Sequence, residues 1–154
     1  MRWKGVEVTP LSEGSNQRAE VTLELADALC LAAMAEATRR GAFVSVAVVD
    51  QGGNLVRFSR MDGAEIAGPR LAVDKAFTAV AHRIATAELA SLAAPGGELY
   101  GLQANGSGRY VIFGGGVPLR SGGRVLGGVG VSGGTLDDDV SCARVALDLW
   151  SGED

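Results

Sequence analysis

The chain has 154 residues, of which 47% are hydrophobic and 21% charged, and its formal net charge is −4. This length suits one domain with a sizeable core, and the acidic balance argues against nucleic acid as a partner. No apolar run reaches the roughly 20 residues of a membrane span, and the N-terminus lacks the apolar stretch of a signal peptide. We therefore expect a cytoplasmic protein with no membrane partner. Cys30 and Cys142 fall in helical patterns and predict buried reduced thiols. With a single histidine, His82, no metal site is expected.

Residues 1–20 are polar and weakly patterned, and they predict an N-terminal arm before a single domain over 21–154. Thr22 is a helix N-cap signal, and apolar residues at 3–4 spacing predict a helix from there to about Arg40. Gly41 suits the left-handed position that ends such a helix.

A nearly continuous apolar run over 44–50 predicts a central strand that is covered on both faces. Residues 51–54 have the composition of a hairpin turn, with Asp50 as a turn residue. The alternating run over 55–61 predicts the returning strand. Two further helices are predicted, from Pro69 to about Arg83 and from Thr86 to Ala93.

About half of the glycines lie between residues 108 and 139. Glycine clusters separate three apolar runs that predict strands, and residues 121–123 predict a hairpin turn between the last two. The runs are Tyr110–Phe113, Val117–Leu119 and Val125–Val131. Thr135, followed by acidic residues, predicts the start of a final helix over Leu136–Trp150. The element order predicts an α/β (α+β) fold, a three-layer α-β-α sandwich around a five-stranded, mostly antiparallel sheet.

Six segments together resemble the GlcG/HbpS family, which is related to the C-terminal domain of PduO-type proteins. The segments cover most of residues 22–150 in order: 48–55, 60–64, 75–79, 95–101, 113–119 and 127–135. The resemblance implies a profilin-like α-β-α fold and a homo-oligomer, often an octamer. Some members bind haem or corrinoid, and others belong to the breakdown of small or aromatic acids. The resemblance also implies that Thr78 lies near bound haem.

Many family members carry histidine at the position of Asn54 and in the first helix, where this chain has none. Haem iron is usually held by His, Cys, Met or Tyr. This departure shifts our expectation towards a small organic acid, with no cofactor required. Haem or corrinoid binding, as a redox-sensing module, is the alternative. For its propionates the cations considered are Arg57 or Arg60, Arg70 and Lys75.

Lys75 and Thr78 lie one turn apart in the alanine-rich second helix, where small neighbours would leave room for a ligand. We predict Lys75 as the catalytic residue of a deaminase- or tautomerase-like enzyme, leaving open whether the protein catalyses anything. The predicted ligand-binding residues are Asn54, Arg70, Lys75, Thr78, Gly114, Gly115, Gly116, Ser132, Gly133 and Gly134. Competing interpretations are a solvated helix face for Lys75 and turn geometry alone for the glycines. A Lys75→Ala variant is expected to lose ligand affinity and to fold normally.

Overall fold

The computed structural model describes residues 20–151, so almost all of the predicted N-terminal arm lies outside the described residues. Four α-helices and four strands make up the described chain. They are α1 (Leu23–Arg40), β1 (Ser45–Asp50), β2 (Leu55–Arg60), α2 (Gly68–His82), α3 (Thr86–Leu92), β3 (Gly116–Ser121), β4 (Arg124–Ser132) and α4 (Leu136–Ser151). Two single turns of 3₁₀ helix, over Leu102–Ala104 and Gly106–Gly108, lie between α3 and β3.

The sheet is antiparallel throughout, with the strand order β2-β1-β4-β3. Gly122 and Gly123 join β3 to β4 with φ angles of 54° and 77°. Both values lie in the left-handed region that a two-residue hairpin turn requires, which confirms the predicted turn. The antiparallel sheet was predicted correctly, but it has four strands and not five.

The missing strand is the run Tyr110–Phe113, which is irregular in the structure. Its backbone bonds to α2: the Val111 N–H donates to Thr78 Oγ1 at 3.0 Å. Arg109, just before the run, is held by Asp74 at 3.1 Å. Because these contacts with α2 fix the segment, an apolar run that looked like a strand packs beside the sheet without joining it.

Helices cover both faces of the sheet, as predicted. On one face α1 and α4 bury a large core, which includes Leu29, Val46, Val48, Val129, Val131 and Trp150. On the other face α2 packs on β1 through a smaller cluster of Ala47, Val49, Ala72 and Ala76. The predicted double burial of β1 is thereby confirmed, and Cys30 and Cys142 are free, buried thiols as expected.

Helix α2 lies unusually close to the sheet because β4 presents glycines to it. A Cβ atom at Gly130 would lie 2.0 Å from the Ala72 carbonyl oxygen, and one at Gly128 would lie 2.7 Å from that of Ala76. Residues with side chains at these positions would push the helix away. The glycines of β4 therefore set the distance between α2 and the sheet, and with it the positions of the polar residues on that helix.

The predicted helix caps are present at both α1 and α4. The Leu25 N–H donates to Thr22 Oγ1 at 3.2 Å, and Gly41 follows α1 with a φ of 72°. At α4 the Asp138 N–H donates to Thr135 Oγ1, while the Thr135 N–H donates to the Asp138 carboxylate. Such reciprocal bonds satisfy N–H groups that have no partner within the helix.

Candidate functional site

The ammonium group of Lys75 lies inside the protein, between α2, the end of β4 and the start of α4. Lys75 has no exposed surface, so the interpretation that it lies on a solvated helix face is wrong. Its Nζ donates to Asp139 Oδ2 at 2.8 Å, to the Val131 carbonyl at 2.9 Å and to Ser132 Oγ at 3.3 Å. These acceptors match the three donors of an ammonium group. A ligand carboxylate could reach Lys75 only by displacing one of them.

Burial acts on both members of this ion pair. It lowers the pKa of Lys75 below its ordinary value, and the hydrogen bond and charge of Asp139 only partly offset the effect. Burial likewise raises the pKa of Asp139 against the opposing influence of Lys75. Each group thus depends on the other for its charge, which is the behaviour of a paired interior site.

Thr78 serves as a bridge within the protein. Its hydroxyl donates to the Asp74 carbonyl at 2.6 Å and accepts from the Val111 N–H. The nearly buried Asp74 carboxylate also accepts from Arg70 Nε at 2.5 Å and from Arg109 Nε at 3.1 Å. Thr78 and Asp74, through Val111 and Arg109, therefore hold the segment after residue 108 against α2. Arg70, which like Thr78 was predicted to bind a ligand, pairs with Asp74 within α2.

Asn54 lies at the other end of the sheet, in the β1–β2 hairpin. Its Nδ2 is 3.2 Å from each Asp50 carboxylate oxygen, and Asp50 Oδ1 also accepts from the N–H groups of Gly52 and Asn54. Burial raises the pKa of Asp50, but these hydrogen bonds outweigh it and the net shift is downward. Asp50 is thus a turn residue, as predicted.

The predicted glycines and Ser132 gather around the buried ion pair. The Gly116 N–H donates to Thr86 Oγ1 at 2.9 Å, and the Gly134 N–H donates to Asp139 Oδ1 at 3.0 Å. A Cβ atom at Gly115 would lie 2.8 Å from Lys75 Nζ, and one at Gly133 would lie 2.5 Å from the Phe43 carbonyl oxygen. Gly114 packs against Val140 in the same way. Close packing thus accounts for several of these glycines, and two of the N–H donors already have acceptors.

The other proposed cations are also engaged. Arg57 pairs with Asp27 at 3.0 Å, and Arg60 donates to the Ala64 carbonyl. Neither arginine shares a hydrogen-bond partner with Lys75, so the contacts do not join the predicted cations into one site.

A cleft of about 690 Å³ opens at the end of the sheet away from Lys75. Its walls are the β1–β2 hairpin, the last turn of α2 and the β3–β4 hairpin. Apolar lining comes from Phe77, Val80, Ala81 and Val125. Three arginines also line it: Arg83, Arg120 and Arg124. We call it the arginine cleft.

The three cleft arginines form no ion pair within the described chain. Within residues 20–151, no carboxylate lies within 4.0 Å of any of them. Arg120 donates to the Arg83 carbonyl, which joins the end of α2 to the β3–β4 hairpin. A second cleft of about 420 Å³ shares Arg83 and Arg120 and adds Glu88. The sequence signal for this candidate site is a pair of arginines flanking the Gly122-Gly123 turn, a pattern that by itself does not distinguish a binding site from an exposed hairpin.

The chain belongs to the HbpS-like family: residues 21–148 match the family model described as "Haem degrading protein HbpS-like". This confirms the resemblance inferred from the sequence. An uncharacterised 15.0 kDa protein of Citrobacter freundii, from the dhaT-dhaS intergenic region, is 42% identical over 137 residues. That match covers 89% of this chain and 96% of the relative.

Two further relatives are a corrinoid enzyme and a domain that was crystallised with heme. The corrinoid adenosyltransferase PduO of Citrobacter freundii is 42% identical over 104 residues, which is 68% of this chain but only 31% of the enzyme. A crystal structure of a PduOC:heme complex superposes with a TM-score of 0.82 at 36% identity. It covers 84% of this chain and 94% of that one.

Two other properties bear on the kind of site. Among residues 20–151, no three His, Cys, Asp or Glu side chains are grouped so that they could hold a metal ion. None of the helices in this part of the chain is long and apolar enough to cross a membrane.

Proposed function

We propose that this protein binds haem or a related tetrapyrrole, and that it does so in the arginine cleft. The observation that carries the proposal is three arginines, without carboxylate partners among residues 20–151, beside the apolar side chains of the same cleft. Support also comes from the relatives, one solved as a heme complex and one named as a corrinoid enzyme. The PduO match spans less than a third of that enzyme, so the adenosyltransferase activity is not included.

The chemistry of a tetrapyrrole suits this cleft. The macrocycle is flat and apolar, and haem carries two propionates at one edge. Phe77, Val80 and Val125 offer apolar contact, and guanidinium groups bind carboxylates through paired hydrogen bonds. The volume of about 690 Å³ also lies within the range of small-molecule sites, roughly 300–1,000 Å³.

An enzyme that uses Lys75 to act on a small organic acid has less support. The relatives are a family named for haem degradation, a domain solved with heme and a corrinoid enzyme. Lys75 Nζ also has an acceptor for each of its donors. Ligand binding by Lys75 and Thr78 stays a prediction, one that requires the ammonium group of Lys75 to give up one of its three acceptors.

A hemin titration followed by absorbance tests the proposal. We expect a saturable shift of the Soret band with the wild type. An Arg120→Ala/Arg124→Ala double variant should bind at least about tenfold more weakly, because each charge-assisted hydrogen bond contributes roughly 1.5–3 kcal/mol. Arg144→Ala, which removes an exposed arginine of α4 outside the cleft, is the matched control and should bind as the wild type does.

Two outcomes would contradict the proposal. One is a wild type that gives no saturable shift. The other is a double variant that binds hemin as tightly as Arg144→Ala does, which would place the haem elsewhere.

A further inference from the structure

We infer that the arginine cleft recognises the carboxylates and the flat face of a porphyrin and does not require its metal. This inference rests on the proposed function. It specifies the ligand class as a free porphyrin dicarboxylate, with or without iron.

The first argument is the absence of an iron ligand. No His, Cys, Met or Tyr is among the described residues that line the cleft. Cys30 and Cys142 are fully buried in the helical layer on the opposite face of the sheet. Burial raises the pKa of both thiols to about 11, so they stay neutral. The cleft therefore offers haem iron none of the usual protein ligands.

His82 is the single histidine of the chain, and its Nε2 atom is not accessible to a ligand in the cleft. Its Nε2 atom is buried and makes no hydrogen bond in the described structure. Its ring instead meets the Tyr110 ring edge-on, with 4.6 Å between centroids. Because Nε2 has almost no accessible surface, coordination of iron by this atom would require the His82 side chain to move.

The second argument is the charge of the cleft. Arginine stays protonated at every physiological pH and pairs best with planar carboxylates. Porphyrins such as protoporphyrin carry free propionates, whereas the corresponding side chains of cobalamin are neutral amides. Three guanidinium groups without carboxylate partners within residues 20–151 thus favour a porphyrin over a corrinoid.

The third argument is the backbone of Arg83. This residue ends α2 with a φ of 57°, in the left-handed region. Glycine is the usual residue at this position, and a residue with a Cβ there costs roughly 1–2 kcal/mol. Non-glycine residues in such conformations cluster at binding sites. A guanidinium held at this strained position therefore points to a use for it in the cleft.

Fluorescence and absorbance titrations with four probes test the metal independence. Protoporphyrin IX and hemin should bind with dissociation constants that agree within about threefold, which is less than 1 kcal/mol. Protoporphyrin dimethyl ester and hydroxocobalamin, which lack the free propionates, should each bind at least about tenfold more weakly. If hemin binds but protoporphyrin IX binds more than about tenfold more weakly, the metal is needed and this inference fails while the proposed function stands. If neither porphyrin binds, both fail.

The role of Arg83 has its own test, Arg83→Gly. Glycine accepts the left-handed backbone, so the melting temperature should equal or exceed that of the wild type. Affinity for protoporphyrin IX should nevertheless fall about tenfold through loss of the guanidinium. Unchanged affinity in the folded variant would remove Arg83 from the site.

Discussion

At the scale of single residues, the buried pair of Lys75 and Asp139 is the most consequential feature that the sequence did not reveal. Lys75 has no exposed surface, and Asp139 is only 5% exposed. Removing one member of such a pair leaves the other charge buried without compensation. The pair therefore ties α2 to the start of α4, whatever it contributes to ligand binding.

This predicts that Lys75→Met destabilises the protein strongly, by about 3–5 kcal/mol, because the Asp139 charge loses its partner. The double variant Lys75→Met/Asp139→Asn should recover most of the loss, since the asparagine is neutral and can still accept from the Gly134 N–H. Urea denaturation of the two variants and the wild type measures both effects. A single variant that loses less than about 1 kcal/mol would contradict the buried-pair account and favour the earlier expectation that Lys75 variants fold normally.

At the scale of elements, the contact of α2 with β4 decides where the polar residues of α2 lie. The Ala72 and Ala76 backbone sits directly on glycines of β4. This close approach brings Lys75 to the end of β4 and leaves Phe77 and Val80 in the arginine cleft.

Gly130→Ala should therefore destabilise the protein, because its Cβ would lie 2.0 Å from the Ala72 carbonyl and force two backbones apart. Overpacking of this kind costs roughly 1–3 kcal/mol or more. Gly96→Ala is the control: its φ of 85° is left-handed, but nothing lies within 4 Å of the added Cβ. Thermal unfolding should show a larger decrease in melting temperature for Gly130→Ala than for Gly96→Ala. A decrease equal to or smaller than that of the control would mean that α2 and the sheet adjust easily to the added Cβ atom.

Local patterns were sufficient to predict most elements. Thr22, Gly41 and the Gly122-Gly123 turn carry their signals within a few residues, and the structure confirms each of them. The strand at Tyr110–Phe113 was wrong because its backbone bonds to Thr78, more than thirty residues earlier. The burial of Lys75 was missed for the same reason, since its partner Asp139 is 64 residues away.

The candidate site was even less accessible to sequence reasoning. The arginine cleft combines the ends of α2 and of two hairpins, which meet only in the folded chain. The sequence did show Arg120 and Arg124 flanking a turn, but not that Arg83 would join them. The prediction that Lys75 and Thr78 bind a ligand instead depended on helical spacing. Such spacing does not distinguish a helix face that is buried in the protein from one that lines a ligand site.

At the scale of the whole molecule, the arginine cleft stands out against an acidic chain with a net charge of −4. Lys75 and the cleft lie towards opposite ends of the sheet: Ser132 pairs with Ser45, whereas Gly127 pairs with Asp50. The five steps along β1 correspond to roughly 17 Å. The two candidate sites are therefore separate, and an experiment can tell them apart.

The predicted homo-oligomer remains a prediction. Several large apolar side chains in the described chain are exposed, among them Ile66, Tyr100, Leu31 and Phe43. Light scattering coupled to size-exclusion chromatography at micromolar concentration should give a mass several times the 15.7 kDa of one chain. A measured mass equal to that of a single chain would contradict the predicted assembly. The exposed apolar side chains would then belong to the solvent-exposed surface of a monomer.

Amide hydrogen exchange with and without protoporphyrin IX tests the central claim most directly, because it locates the ligand on the chain. Binding in the arginine cleft should slow exchange in residues 51–53, 77–83 and 120–125, which form its walls. The segments around the buried ion pair, 113–116 and 132–139, should exchange as they do in the free protein. Protection confined to those two segments, with none at the two hairpins, would contradict the account and return the site to Lys75.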